Sequence, residues 1–235
     1  MKTKSITLAL AIGGVTIASV AGAQEKDHNV AATKSETLAP AANAVELSVG
    51  TGYAQGFGDI AANRPTLTDV AQPGGAVQLG VGYRIIPQLS LGLYGSGAMF
   101  SRGDQVDTSS NLYSASAGVQ ADWHFIPSGS EFDPWVSLGT GWRGYWVRAD
   151  QGTTSLQGLQ LAKLQVGVDY RVAQAVAVSP LIGADLSMFL SESNPGTSSY
   201  SNIVDPRVNS FVFAGLQGRF DIPVGAASSS TVAAR

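Results

Sequence analysis

Tyr113-Ser-Ala-Ser-Ala-Gly-Val-Gln-Ala-Asp-Trp-His-Phe125 is the stretch on which the fold turns. Tyr113, Ala115, Ala117, Val119, Ala121, Trp123 and Phe125 alternate without a break against Ser114, Ser116, Gly118, Gln120, Asp122 and His124. Successive side chains of an extended chain point to opposite faces, so the run predicts a strand with one apolar face and one small or polar face. A helix, with its period of 3.6 residues, would mix the two sets.

The same alternation recurs seven times. Leu47, Val49, Thr51 and Tyr53 oppose Glu46, Ser48, Gly50 and Gly52; Val77, Leu79, Val81 and Tyr83 oppose Gln78, Gly80, Gly82 and Arg84. Leu89, Leu91 and Leu93 alternate with Ser90, Gly92 and Tyr94, and Val136, Leu138, Thr140 and Trp142 with Ser137, Gly139, Gly141 and Arg143. Leu164, Val166, Val168 and Tyr170 oppose Lys163, Gln165, Gly167, Asp169 and Arg171. Val176, Val178, Ile182, Ala184 and Leu186 face away from Ala177, Ser179, Gly183, Asp185 and Ser187. Val212, Ala214, Leu216 and Phe220 do so from Gly215, Gln217, Arg219 and Asp221. Short links are expected at 86–88, 126–132 and 173–174, and longer ones at 57–74, 102–111, 150–155 and 191–207. Eight strands joined alternately by short and long links predict an antiparallel up-and-down meander.

Charged residues are only 13% of the 235, glycines number 28, and cysteine is absent, which excludes a disulfide scaffold and any thiolate metal or redox site. The glycines keep no three-residue period, so collagen is excluded. A formal charge of −3 without a basic block argues against a nucleic-acid binder. A soluble barrel would carry its charges on the outside. Here the few charges share the face of the glycines and serines, while the apolar face carries Tyr53, Tyr83, Trp123, Phe125, Trp142, Tyr170 and Phe220, mostly near strand ends. That is the pattern of an aromatic girdle on a lipid-facing wall. Strands of roughly 9–13 residues fit a tilted bilayer crossing, and closure is obligatory where no water can satisfy an open edge. The expected fold is all-β: an eight-stranded antiparallel transmembrane β-barrel over residues 44–222.

Outside the barrel, Lys2 and Lys4 precede an uncharged apolar run from Ile6 to Val20 and the small triplet Ala21-Gly22-Ala23. Residues 1–23 therefore predict a secretory signal peptide cut between Ala23 and Gln24. Its removal takes Lys2 and Lys4 from the 14 basic residues, leaving 12 against 17 acidic, a charge near −5. Residues 24–43 are polar and aperiodic and predict a short disordered leader. Residues 223–235 predict a short flexible tail, with no further folded domain.

The architecture, the signal peptide and the final strand Phe211-Val-Phe-Ala-Gly-Leu-Gln-Gly-Arg-Phe220 resemble the small outer-membrane β-barrels of Gram-negative bacteria, the OmpA-like, OmpX-like and OmpW-like group. The resemblance implies residence in the cell outer membrane, contact with its lipid, and recognition of Phe220 by the barrel assembly machinery. Members often end at that aromatic, whereas Asp221 to Arg235 follow here, so the assembly signal is internal.

Two levels of inward charge are expected. Near the short-link end lie Glu46, Arg84, Asp122, Asp169, Arg171 and Arg219; eight to ten residues further along lie Arg143, Lys163 and Asp185. An eight-stranded barrel is just wide enough for its side chains to fill it. The leading expectation is therefore a lumen plugged by ion pairs, in a monomeric structural or surface-interaction protein whose long loops face outward and meet an extracellular ligand. The alternative is a narrow porin-like channel gated by Arg143, Lys163 and Asp185. A lipid-active enzyme is the second alternative, but no strand places Ser, His and Asp together, so no catalytic residue is assigned. Gly139-Thr-Gly-Trp-Arg-Gly144 matches a dinucleotide fingerprint, yet Tyr145-Trp146-Val147 continues the strand where a helix is required, and no cofactor is expected. Arg102-Gly103-Asp104 spells an adhesion tripeptide in a long loop, a chance-level signal. His28 and His124, far apart and without cysteine, predict no metal site. The loop over 57–74 carries Phe57, Ile60, Leu67 and Val70, suited to covering the barrel mouth or a partner.

Overall fold

The computed structural model describes residues 42–62, 64–107, 109–125, 132–173, 175–196 and 199–224. The expected signal peptide with its Ala23/Gln24 cleavage point, most of the leader, the tail from 225 and most of the 126–132 link lie outside them. Eight long strands form the wall: β1 (Ala44–Phe57), β2 (Ala71–Ile86), β3 (Leu89–Arg102), β4 (Asn111–His124), β5 (Phe132–Ala149), β6 (Gly152–Ala173), β7 (Val176–Ser193) and β9 (Val208–Pro223). A short helix, α1 (Leu67–Val70), and a two-residue strand, β8 (Ser201–Asn202), lie in the long loops.

Each long strand pairs antiparallel with its sequence neighbours, and β9 pairs with both β7 and β1, so the sheet closes. The register keeps like faces together: Val49 opposes Leu79, Val119 opposes Thr140, and Ile182 opposes Ala214. Closure satisfies every ladder without an edge, the condition for spanning hydrocarbon. The apolar rows lie outside, where Leu79 is 59% and Leu138 61% exposed. All seven girdle aromatics expected from the sequence lie on this exposed outer surface. From Tyr113 to Trp123 the β4 wall rises ten residues, about 33 Å along the strand. At a tilt near 40° that is about 25 Å of height, the span of an outer-membrane apolar band.

Three expectations are corrected. The strands are 14 to 22 residues long, because they continue past the upper aromatics. Above that level the faces exchange character: Phe100, Leu112, Tyr145, Leu156, Phe189 and Phe211 point inward into an apolar core, while Ser101, Arg148 and Thr153 point out. A wall standing in water buries its apolar residues inside, as a soluble barrel does. The expected long link at 150–155 is a tight hairpin over Asp150 and Gln151, with Ala149 opposite Gly152. Gly152 adopts φ +132°, a conformation that glycine alone takes readily. The loop expected over 57–74 ends at α1, and Ala71 to Gly75 already belong to β2.

Because the middle of the wall faces lipid, Leu79→Arg is expected to cost about 2–4 kcal/mol of folding free energy, and Ser101→Arg, above the girdle, no more than about 1 kcal/mol. Urea titration of the barrel refolded into vesicles measures both.

Candidate functional site: the filled lumen

The inward face is divided into three layers. Nearest the short links, Arg84 pairs with Glu46, lies 3.4 Å from Asp221, and donates to the Pro87 carbonyl at 3.1 Å. Arg219 donates to Glu46 at 2.8 Å, its Nε lies 3.2 Å from Asp169 Oδ2, and its guanidinium sits 4.7 Å over the Trp135 ring. Arg171 donates to Asp221 at 2.9 Å. His124 is held from both sides: Arg219 lies 3.0 Å from Nε2 and Asp133 Oδ2 lies 2.7 Å from Nδ1. Arginine can only donate, so Nε2 accepts and Nδ1–H donates to Asp133, which fixes the neutral tautomer.

Parity brings all six charges expected at this end, Glu46, Arg84, Asp122, Asp169, Arg171 and Arg219, into one buried network. Sequence reasoning missed His124, Asp133 and the pairing role of Asp221. His124 shares its face with Asp122 and Asp221 with Arg219, so alternation carried that signal. Asp133 was hidden by Pro134, which interrupts a strand pattern. The layer holds five carboxylates, Glu46, Asp122, Asp133, Asp169 and Asp221, against the guanidinium groups of Arg84, Arg171 and Arg219. Each guanidinium bridges at least two carboxylates, which offsets the desolvation of both signs. His124, Asp133 and Asp169 present ligand atoms within 4.8 Å of one another, but both imidazole nitrogens are already committed. The cluster is therefore suited to relaying hydrogen bonds between Arg219 and Asp133.

In the middle layer Lys163 and Asp185 face each other across β6 and β7, yet Arg143 takes the carboxylate, at 2.5 Å. Arg143 also lies 4.0 Å over the Phe211 ring. Lys163 donates to Gln120 Oε1 at 2.7 Å and sits 4.0 Å over Tyr94. Tyr94 in turn donates to Gln160 at 2.7 Å. The three expected residues thus share one level, but as a salt bridge beside a separate lysine–tyrosine contact. Between them is a cavity of about 30 Å³, also lined by Gln78 and Gln165. Small residues make room for Tyr94: a Cβ on Gly118 would lie 2.8 Å from its hydroxyl.

The third layer is the apolar core at the mouth. Ile60 and Leu67 from the first long loop and Ile203 from the last pack against Tyr145, Phe189 and Phe211. Thr66 and Asp69 form a reciprocal capping box on α1, fixing the turn that inserts Leu67. Arg64 binds Glu192 with two hydrogen bonds, at 2.5 and 2.7 Å, joining this loop to β7. Burial of Ile60 and Leu67 accords with the expected covering role of the loop, while Phe57 stays on the outer surface. Gly139 to Gly144 run within β5, as the continuing strand pattern implied. Gly103 is buried, with its N–H donating to the Val70 carbonyl at 2.8 Å, and Arg102 Nε donates to Ser110 at 2.7 Å, so the Arg-Gly-Asp triplet is tied down.

No protein-family model matches the chain, and no curated protein does. Solved structures do. The outer-membrane protein AlkL, determined in lipid bilayers, is 10% identical with a TM-score of 0.50, over 80% of this chain and 94% of that one. Neisserial surface protein A is 16% identical at a TM-score of 0.49, over 75% and 96%. OprG of Pseudomonas aeruginosa is 11% identical at 0.45, over 76% and 97%. The AlkL likeness is one of fold: an outer-membrane β-barrel.

Removing Arg219 leaves buried Glu46 and Asp169 short of a counter-ion. Arg219→Ala is expected to cost about 3–5 kcal/mol in urea unfolding. Arg207→Ala, at an exposed pair with Asp205, should cost less than about 1 kcal/mol.

Proposed function

We propose that this chain, folded as an eight-stranded outer-membrane β-barrel, is a plugged, non-enzymatic barrel of the outer membrane, serving as a structural or surface-interaction protein. The observation that carries the reading is the filled lumen. Paired charges occupy the short-link end, the middle cavity holds about 30 Å³, and apolar side chains with two loops occupy the mouth. A cavity of that size accommodates about one water molecule, which supports a plugged lumen over an open channel. The wall then acts as the anchor, in contact with outer-membrane lipid, with Phe220 as the signal read by the assembly machinery. The long-loop end acts as the surface that meets an extracellular ligand, and the closed edges suit a monomer. Among the described residues His124 contacts Arg219 and Asp133 and has no hydroxyl partner, which favours a non-catalytic role over a lipid-active enzyme.

In planar bilayers the refolded protein is expected to be silent, with heat-modifiable gel migration reporting that the barrel has formed. Discrete current steps that change in Lys163→Ala would overturn the plugged reading in favour of a channel gated at Arg143, Lys163 and Asp185.

A further inference from the structure

Among the described residues every arginine side chain except that of Arg148 makes a hydrogen bond or an ion pair. Arg148 is on the outer face of β5, in the alternate row that carries Trp142 and Trp146. The ladder sets it opposite Asn111 on one side and Thr153 on the other, and sets Trp146 opposite Tyr113. Tyr113, Trp146, Arg148 and Thr153 together line a groove of about 430 Å³ on the outside of the barrel.

The height of this groove identifies its surroundings. Trp142 and Trp146 pack with ring centroids 6.0 Å apart on the lipid-facing wall. Tryptophan and tyrosine at such a position mark the boundary between acyl chains and headgroups. Arg148 is two residues beyond Trp146, about 7 Å further along the strand, at the depth of the headgroups. Three donors line that space with no hydrogen-bond acceptor among the described residues: the Arg148 guanidinium, the Thr153 hydroxyl and the Tyr113 hydroxyl. An aromatic floor beneath a cation and two hydroxyls complements a group that is anionic at its head and apolar below.

We propose that this groove binds the phosphate headgroup of a lipid in the leaflet at the long-loop end. Arg148 pairs with the phosphate oxygens, Thr153 and Tyr113 donate hydrogen bonds to it, and the Trp146 ring packs against the start of the acyl region. Guanidinium groups suit phosphate because their donors are fixed in a fork. The assignment rests on the membrane-spanning reading of the barrel.

The test uses the full chain refolded into phosphatidylcholine vesicles in which either phosphatidic acid or phosphatidylcholine carries brominated acyl chains, with quenching of tryptophan fluorescence as the readout. Trp142 and Trp146 adjoin the groove, whereas Trp123 is at the other end of the wall and Trp135 is buried in the lumen. Brominated phosphatidic acid is expected to be preferred about five-fold, the scale of one basic residue at a charged surface. Arg148→Gln should bring the ratio to about one, while Arg102→Gln, whose guanidinium already serves Ser110, should leave it unchanged. Equal selectivity in wild type and Arg148→Gln, or equal loss in Arg102→Gln, would overturn the site. Full competition by millimolar inorganic phosphate would overturn the lipid as the source of the phosphate. Heat-modifiable migration is followed in the same samples. Folded, inserted protein without selectivity overturns the groove alone, and failure to insert overturns the membrane-spanning reading with it.

Discussion

Backbone N–H and C=O groups in hydrocarbon have no water to turn to, and the closed hydrogen-bonded ring follows from that constraint. Pairing of β9 with both β7 and β1 leaves no long strand with an open edge. Closure with eight strands makes the interior only as wide as its own side chains. What fills the lumen is therefore decided by the same step that makes the barrel.

The filling divides by depth. At the short-link end the inward residues are charged, and burial makes each unpaired charge expensive, so arginines are shared between carboxylates rather than matched one to one. Arg219 illustrates this, reaching Glu46, Asp169 and His124 while lying over Trp135. At the mouth the solvent outside the wall changes from lipid to water, and the preferred placement of apolar residues changes with it. β5 records the exchange within a few positions: Trp142 points out and Arg143 in, then Tyr145 points in and Arg148 out. The apolar core so formed gives Ile60, Leu67 and Ile203 somewhere to pack, and the loops are drawn over the opening.

That change of surroundings also bears on the outer surface. Below the tryptophans the wall needs only to be apolar, and its side chains can vary without altering what they meet. Above them each polar group faces headgroups or water, so the Arg148 guanidinium, which has no partner among the described residues, becomes a site where the membrane itself can bind. The lumen and the outer wall thus play different parts: in one, guanidinium groups pair with carboxylates inside the barrel, while the other faces its surroundings.

Two-residue alternation determined much of the structure. It placed the apolar rows outside, the glycines and charges inside, and the seven aromatics at the membrane boundary, because side-chain direction in a strand depends only on parity. It also placed Arg143, Lys163 and Asp185 at one level. It could not extend the strands past the upper aromatics, since there the two faces exchange solvents and the pattern inverts. Nor could it find Asp133 behind Pro134, or fold the 150–155 segment into a tight hairpin. Partner choice belonged to the tertiary structure alone. Lys163 stands opposite Asp185 in the register, but Arg143 reaches that carboxylate from β5, and Lys163 turns to Gln120 and Tyr94. Parity fixes which face a side chain occupies, whereas its partner depends on the curvature and closure that bring distant strands across the same narrow interior.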